Sequence, residues 1–285
     1  MYNRIIVCNT FPRLSICTNQ VVVQLEAEHG ASASFPRGPP RQPKPKSWLN
    51  VVFDLNGILC KCEDYQTRPA FVRVGNEKSP HSCTIPARVG PKLVWVRPGC
   101  KAFLEAVSKF GTISVWSSMR HSTTKSVVQY LFRSVPAPKI TYGQEQCRRV
   151  PLAVSDGVTQ YLKVKGTDKD VFLKVLSSGL FTKPSTVFTK DNTIVVDDSP
   201  YKHVLNSPEN LVLADTWTYE GDGASDTFLL NVLLPWLQRL HLCPGMDLKS
   251  FRLQNPLGRP AMSSNPYDLE YIQLMTAIQT SGQRL

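Results

Sequence analysis

The first strongly patterned stretch is Asn50-Val-Val-Phe-Asp-Leu-Asn-Gly-Ile-Leu59, a β-branched and aromatic run that stops on Asp54. A short continuous apolar run closed by a turn signal reads as a buried strand. Phe71-Val-Arg-Val74 and Leu93-Val-Trp-Val96 alternate as short strands do, among Pro69, Gly75, Pro80, Pro86 and Gly90. They predict a small β flap over residues 60–92, inserted after the first strand.

The rhythm then changes. Arg97-Pro98-Gly99 is a turn, and Phe103, Ala106, Val107 and Phe110 follow at i, i+3, i+4 and i+7. That is the apolar face of a helix, which Gly111 ends. Thr112-Ile-Ser-Val-Trp116 is a second strand, closing on Ser117-Ser118, and Ser122–Arg133 is a second helix stopped by Pro136 and Pro138. Residues 140–168 carry no clear rhythm. Asp168–Ser177 is expected to be helical and to carry Lys169 and Lys174. Asn192-Thr-Ile-Val-Val-Asp-Asp-Ser-Pro200 is a third strand, ending in Asp197 and Asp198, with Pro200 where a helix can begin. Leu211-Val-Leu213 is a last short strand. Ser225–Leu240 is a helix interrupted at Pro235, with capping residues from Ser225 onward. Strands and helices alternating in this order imply parallel strands with right-handed crossovers. The expected fold is α/β, a doubly wound, mostly parallel Rossmann-like sheet carrying the β flap.

The two ends lack such patterning. Residues 1–48 contain Pro36-Arg-Gly-Pro-Pro-Arg-Gln-Pro-Lys-Pro-Lys46 and read as an extended basic tail, either a nuclear-import patch or a solvated linker. Met1 to Leu25 carry Arg4 and Arg13 and no acid, which resembles an organellar presequence in composition. Residues 243–285, polar with Pro and Gly, are expected to be a loose tail. One ordered domain over 49–242 lies between.

A length of 285 residues suits one large domain with tails, and 42% hydrophobic residues is enough for a core. The net charge of +11 favours an acidic or phosphorylated partner, nucleic acid or an anionic surface. None of the eight cysteines forms a C-x-x-C pair, and Cys60-Lys-Cys62 is too tight for a usual zinc site. They read as reduced thiols of an intracellular protein. No apolar run approaches the roughly 18–20 residues of a membrane span.

Candidate chemistry sits at the strand ends. Asp54 alone is either a carboxylate in a ligand crevice or part of a solvated turn, since Asp and Asn-Gly are ordinary turn residues. Asp197 and Asp198 end a second parallel strand at the same sheet edge. Together the three acids supply hard oxygen ligands for an octahedral Mg²⁺. Ser117, at a third strand end, can donate to a phosphate oxygen, and Lys174 can neutralise a phosphoryl group. Read singly, Ser117 is a loop hydroxyl and Lys174 a solvated charge. Read together, they are the parts of an aspartyl-phosphate mechanism.

Three stretches carry a family resemblance: Val52-Phe-Asp-Leu-Asn-Gly-Ile-Leu59; Trp95-Val-Arg-Pro-Gly-Cys-Lys-Ala-Phe-Leu104 with Ser114-Val-Trp-Ser-Ser118; and Val195-Val-Asp-Asp-Ser-Pro-Tyr-Lys202 followed by Asn206, Pro208 and Asp215-Thr-Trp217. They resemble the haloacid-dehalogenase-like phosphatases of the NLI-interacting-factor and RNA polymerase C-terminal-domain phosphatase group, in a plant-like form. The resemblance spans Leu49 to Leu240. It implies Asp54 as the phosphorylated nucleophile and Mg²⁺ held by Asp54, the Asn56 carbonyl and Asp198, with Asp197 in support. It implies Ser117 as a phosphate ligand and Lys174 as the motif lysine, Lys169 being the alternative. It also implies a phosphorylated protein or peptide as substrate, such as the RNA polymerase II C-terminal tail, and a nuclear location. The basic N-terminus keeps a mitochondrial or chloroplast location open, with a role in organellar protein import.

Two positions depart from the pattern: Ile58 stands where the family has Thr or Val, and Asn56 where it has an acid. The family's first motif is Asp-x-Asp, and its second acid, the general acid and base, is Asn56 here. A carboxamide cannot protonate a leaving oxygen, and positioned proton transfer contributes about 10²–10⁴-fold. The expectation is a slow serine/threonine phosphatase or an inactive phosphopeptide-binding pseudophosphatase. His121 is a conceivable substitute acid, and deamidation at Asn56-Gly57 would restore the acid chemically.

Overall fold

The stretch Leu49–Phe53 forms a strand, β1, that is buried along its whole length. Its side chains alternate between two apolar layers, as a pleated strand requires. Leu49, Val51 and Phe53 pack with Phe103, Leu104 and Val107 of α1 (Cys100–Val107) and with Val127 and Leu131 of α2 (His121–Leu131). Val52 faces the other way, toward Trp116, Leu176, Leu180 and Val195. This computed structural model describes residues 48–67, 85–155, 157–182 and 187–281. The expected strand at 71–74 and the Pro-rich tail lie outside the described residues.

The expected flap is present as β2 (Cys60–Asp64), β3 (Ala87–Val89) and β4 (Lys92–Val96), an antiparallel sheet in the order β2-β4-β3. The chain then builds β5 (Gly111–Trp116) and β6 (Thr141–Tyr142), followed by β7 (Arg148–Arg149), β8 (Pro151–Ser155), β9 (Val158–Tyr161) and β10 (Phe172–Leu173). β7 pairs antiparallel with β10, and β8 with β9. After α3 (Leu176–Gly179) come β11 (Thr193–Asp197) and β12 (Leu211–Leu213). The central sheet has the order β12-β11-β1-β5-β6, with every neighbouring pair parallel. Strand order reverses at β1: the chain first builds outward through β5 and β6, then returns to β1's other side with β11 and β12. Ligand crevices in open α/β sheets form at such a reversal, beyond the strands' carboxyl ends.

Pro235 falls where a π-helical turn, Phe228–Leu233, runs into α4 (Leu234–His241). Proline lacks the N–H that a helix needs and its ring crowds the preceding turn, so the widened turn replaces a clean break. Two expectations fail. Lys174 follows strand β10 rather than riding on a helix, because Val171, Leu173 and Val175 are buried with a period of two. Beyond Pro244 the chain is not loose: it forms α5 (Leu248–Gln254) and α6 (Leu269–Thr280). Leu248 and Phe251 enter the main core, and Leu274 and Ile278 cover Val150, Val171, Leu173 and Val204. These short i, i+3 and i, i+4 apolar pairs are diluted by polar neighbours in the sequence. Arg259 then pairs antiparallel with Leu213, closing part of the open edge of β12.

Candidate active site

Three parallel strands deliver their chemistry to one edge. Phe53 is in register with Val196 on one side and Val115 on the other, so Asp54 stands level with Asp197 and Trp116, and Ser117 one step beyond. Asp54, Ser117, Lys174, Asp197 and Asp198 are all buried. Asp54, Asp197 and Asp198 place one carboxylate oxygen each within 4.8 Å of one another.

Lysines hold the acids together. Lys174 Nζ donates to Asp197 Oδ2 and lies 3.3 Å from Asp54 Oδ1. Lys202 Nζ donates to Asp54 Oδ2 at 2.9 Å and lies 3.5 Å from Asp197 Oδ1. Burial by itself would raise the Asp197 carboxyl, but Lys174, Lys202 and His203 outweigh it and hold it well below the usual carboxylate range. Asp198 goes the other way, because burial outweighs the pull of Lys202. Lys202 itself is pushed well above the ordinary lysine value, since Asp197, Asp54 and Asp198 together overcome its own burial.

A hydrogen-bonded chain fixes the underside of Asp197. Asn206 Oδ1 accepts from the Leu176 N–H at 2.9 Å, so its Nδ2 faces the Lys174 carbonyl at 2.6 Å and His203 Nδ1 at 3.0 Å. Nδ1 therefore accepts, which leaves the ring proton on Nε2, 3.0 Å from Asp197 Oδ2. Burial depresses the His203 pKa against the pull of Asp197.

Asp198 is held by Ser199 Oγ and Thr216 Oγ1, each donating at 2.8 Å. Gly57 is required beside it. Its φ is +86°, and a Cβ there would stand 2.1 Å from Asp198 Oδ2. Asn56 Oδ1 accepts from the Cys62 N–H at 2.7 Å, which ties the first motif to the start of the flap. The Gly57 N–H, the atom that deamidation would need, already donates to Cys60 O at 2.8 Å.

Ser117 Oγ accepts from the Met119 N–H at 3.3 Å, at the mouth of the turn into α2. His121 is exposed at the start of α2, and Lys169 is exposed in a loop; neither is among the groups that contact Asp54. Sequence reasoning missed three residues. Lys202 follows Asp198 by four places in a helical turn, Pro200–His203, a spacing that brings side chains together. Arg97 is a buried brace: Nε and Nη2 donate to Asp226 at 2.8 and 2.9 Å, and Nη1 donates to the Ile58 carbonyl at 3.2 Å. Arg259 donates to the carbonyls of Asp198 and Ala214. Only Lys202 left a readable signal.

A buried carboxylate at the end of the central strand, a second acid pair on the next strand and a motif lysine between them define a haloacid-dehalogenase-like phosphatase domain. The chain belongs to the NLI interacting factor-like phosphatase family, whose family model matches residues 49–248. Among the solved structures similar to it are two of Fcp1. One is Fcp1, an essential RNA polymerase II CTD phosphatase, at 15% identity over 81% of this chain and 61% of that one, with a TM-score of 0.36. The other is the fission yeast RNA polymerase II CTD phosphatase Fcp1 bound to beryllium fluoride, at 13% identity over 81% and 62%, with a TM-score of 0.37. The chain thus spans about three fifths of the length of these two structures. No curated protein sequence matches it.

Proposed function

We propose that this domain hydrolyses phosphate monoesters of proteins through an aspartyl-phosphate on Asp54, slowly. The observation that carries this is the position of Asp54, at the strand-order reversal with both its oxygens paired to buried ammonium groups. In this reading an Asp54 oxygen attacks phosphorus and the ester oxygen departs. Lys174 and the Ser117 hydroxyl bind the transferring group's oxygens, and water later cleaves the acyl phosphate. The carboxylates of Asp54, Asp197 and Asp198 fit a hard divalent cation in oxygen chemistry and spacing, and the Asn56 carbonyl would be a further ligand. When bound, Mg²⁺ would supply charge neutralisation at the phosphoryl oxygens.

Asn56 favours a second reading. Its carboxamide cannot give a proton to a serine alkoxide, so the site would recognise a phosphopeptide and scarcely turn it over. Hydrolysis of p-nitrophenyl phosphate with Mg²⁺ separates the two. Turnover by the native chain that Asp54→Asn abolishes supports the phosphatase. Turnover by Asn56→Asp alone supports the binding module. The net charge of +11 suits a phosphorylated partner in either case.

A further inference from the structure

Lys202 does more than pair with one acid. Its Nζ lies 2.9 Å from Asp54 Oδ2, 3.5 Å from Asp197 Oδ1 and 3.9 Å from Asp198 Oδ1. These are the three residues whose oxygens converge within 4.8 Å. The ammonium therefore stands against one oxygen of each of the three carboxylates that a divalent cation would seek. Lys174 is different: it contacts Asp54 and Asp197 through Asp54 Oδ1 and Asp197 Oδ2, the oxygens opposite to those Lys202 takes. Lys202 is held there by its backbone as well, because its carbonyl accepts from the Lys174 N–H at 2.8 Å and its own N–H donates to the Ser199 carbonyl at 3.2 Å. Three carboxylates facing two ammonium groups form a nearly neutralised cluster, so the charge that would draw in a cation is largely spent.

We propose that Lys202 is a tethered counter-cation that occupies the divalent-cation position of the resting site, so that Mg²⁺ binds only by displacing it. This rests on the reading of the acid cluster as the metal-holding part of a phosphoryl-transfer site. Mg²⁺ needs oxygen ligands at about 2.0–2.1 Å and sheds water reluctantly. An ammonium hydrogen-bonded to Asp54 and Asp197 and 3.9 Å from Asp198 obstructs that approach. Displacement would free the Lys202 charge beside Asp54, where the phosphoryl group is expected.

The test is calorimetric titration of MgCl₂ into the full chain and into Lys202→Met and Lys202→Gln, with melting curves in EDTA and in Mg²⁺. The expected result is an apparent Mg²⁺ affinity at least tenfold tighter in both variants. Their melting temperatures should fall in EDTA, where only Lys174 faces the acids, and recover in Mg²⁺. Variants that fold only when Mg²⁺ is present count as support. Variants that bind Mg²⁺ no more tightly than the native chain, or that fail to fold with and without it, overturn the proposal. The readout does not depend on turnover. Tighter binding with no hydrolysis by any form would sink the phosphatase reading alone, and hydrolysis with unchanged affinity would sink this one alone.

Discussion

Replacing Asn56 by Asp should restore the missing proton transfer without disturbing the scaffold. The reason is local. Asn56 uses its Oδ1 to accept from the Cys62 N–H at 2.7 Å, and an aspartate can make the same bond with one oxygen. Its second oxygen would take the place of the carboxamide nitrogen and could carry a proton. The added carboxylate enters a site where three acids already face two buried lysines, and nearby like charge favours the protonated form that a general acid needs. The expected gain in kcat is about 10²–10⁴-fold, or about 3–5 kcal/mol at 1.36 kcal/mol per decade. That gain should be largest for a phosphoserine peptide, whose alkoxide leaves poorly. It should be smaller for p-nitrophenyl phosphate, because aryl oxides leave more readily without a proton. The assay is steady-state hydrolysis of both substrates by the native chain, Asn56→Asp and Asn56→Asp with Asp54→Asn. A gain under tenfold on the phosphoserine peptide, or an equal gain on both substrates, would refute the assignment of residue 56 as the missing acid and base.

Other outcomes follow from the braces around the site. Arg97→Ala should cost about 3 kcal/mol, as expected for breaking a buried ion pair, and lower the melting temperature, because Asp226 loses its cation and the Ile58 carbonyl loses the guanidinium donor. Gly57→Ala should lose about 1–3 kcal/mol from its positive φ, with a further penalty from the Asp198 carboxylate, read by denaturant unfolding. Cys100, its thiol pushed up to about 12 by burial, should resist iodoacetamide in the folded chain at pH 8 and react once urea is added. Reaction at equal rates in both states would contradict that burial. Aged native protein should show no gain of about one dalton at Asn56, because the Gly57 N–H is engaged; peptide mapping would reveal deamidation if that hydrogen bond did not protect it.

The sheet was legible because its strands are continuous apolar runs, the pattern of a layer buried on both faces. β1, β5, β11 and β12 could be read directly, and with them the positions of Asp54, Ser117, Asp197 and Asp198. Lys174 was found but on the wrong element, since Val171, Leu173 and Val175 fit a strand and a short helix about equally well over so few residues. β8 and β9 stayed hidden because they are short and their apolar residues show no clean alternation, Leu152 and Val158 both being exposed. Arg97 and Arg259 act through partners 129 and 45 to 61 residues away, a distance over which local periodicity carries no information. Asn56 was readable as a departure from a motif, but its bond to Cys62 required the flap's register.

The pairing of Arg259 with Leu213 bears on how this domain behaves when it is cut. Strand β12 is one of the two edge strands of the central sheet, and an open strand edge is a template for self-association. The antiparallel bridge from Arg259 occupies part of that edge, and its side chain ties off the Asp198 and Ala214 carbonyls. The family match stops at residue 248, short of this bridge. A fragment trimmed to the family boundary would keep every candidate catalytic residue and still present a sticky, half-uncovered border. Such a fragment would be expected to precipitate or form aggregates, so low solubility of a trimmed domain would report on its missing edge bridge rather than on its chemistry.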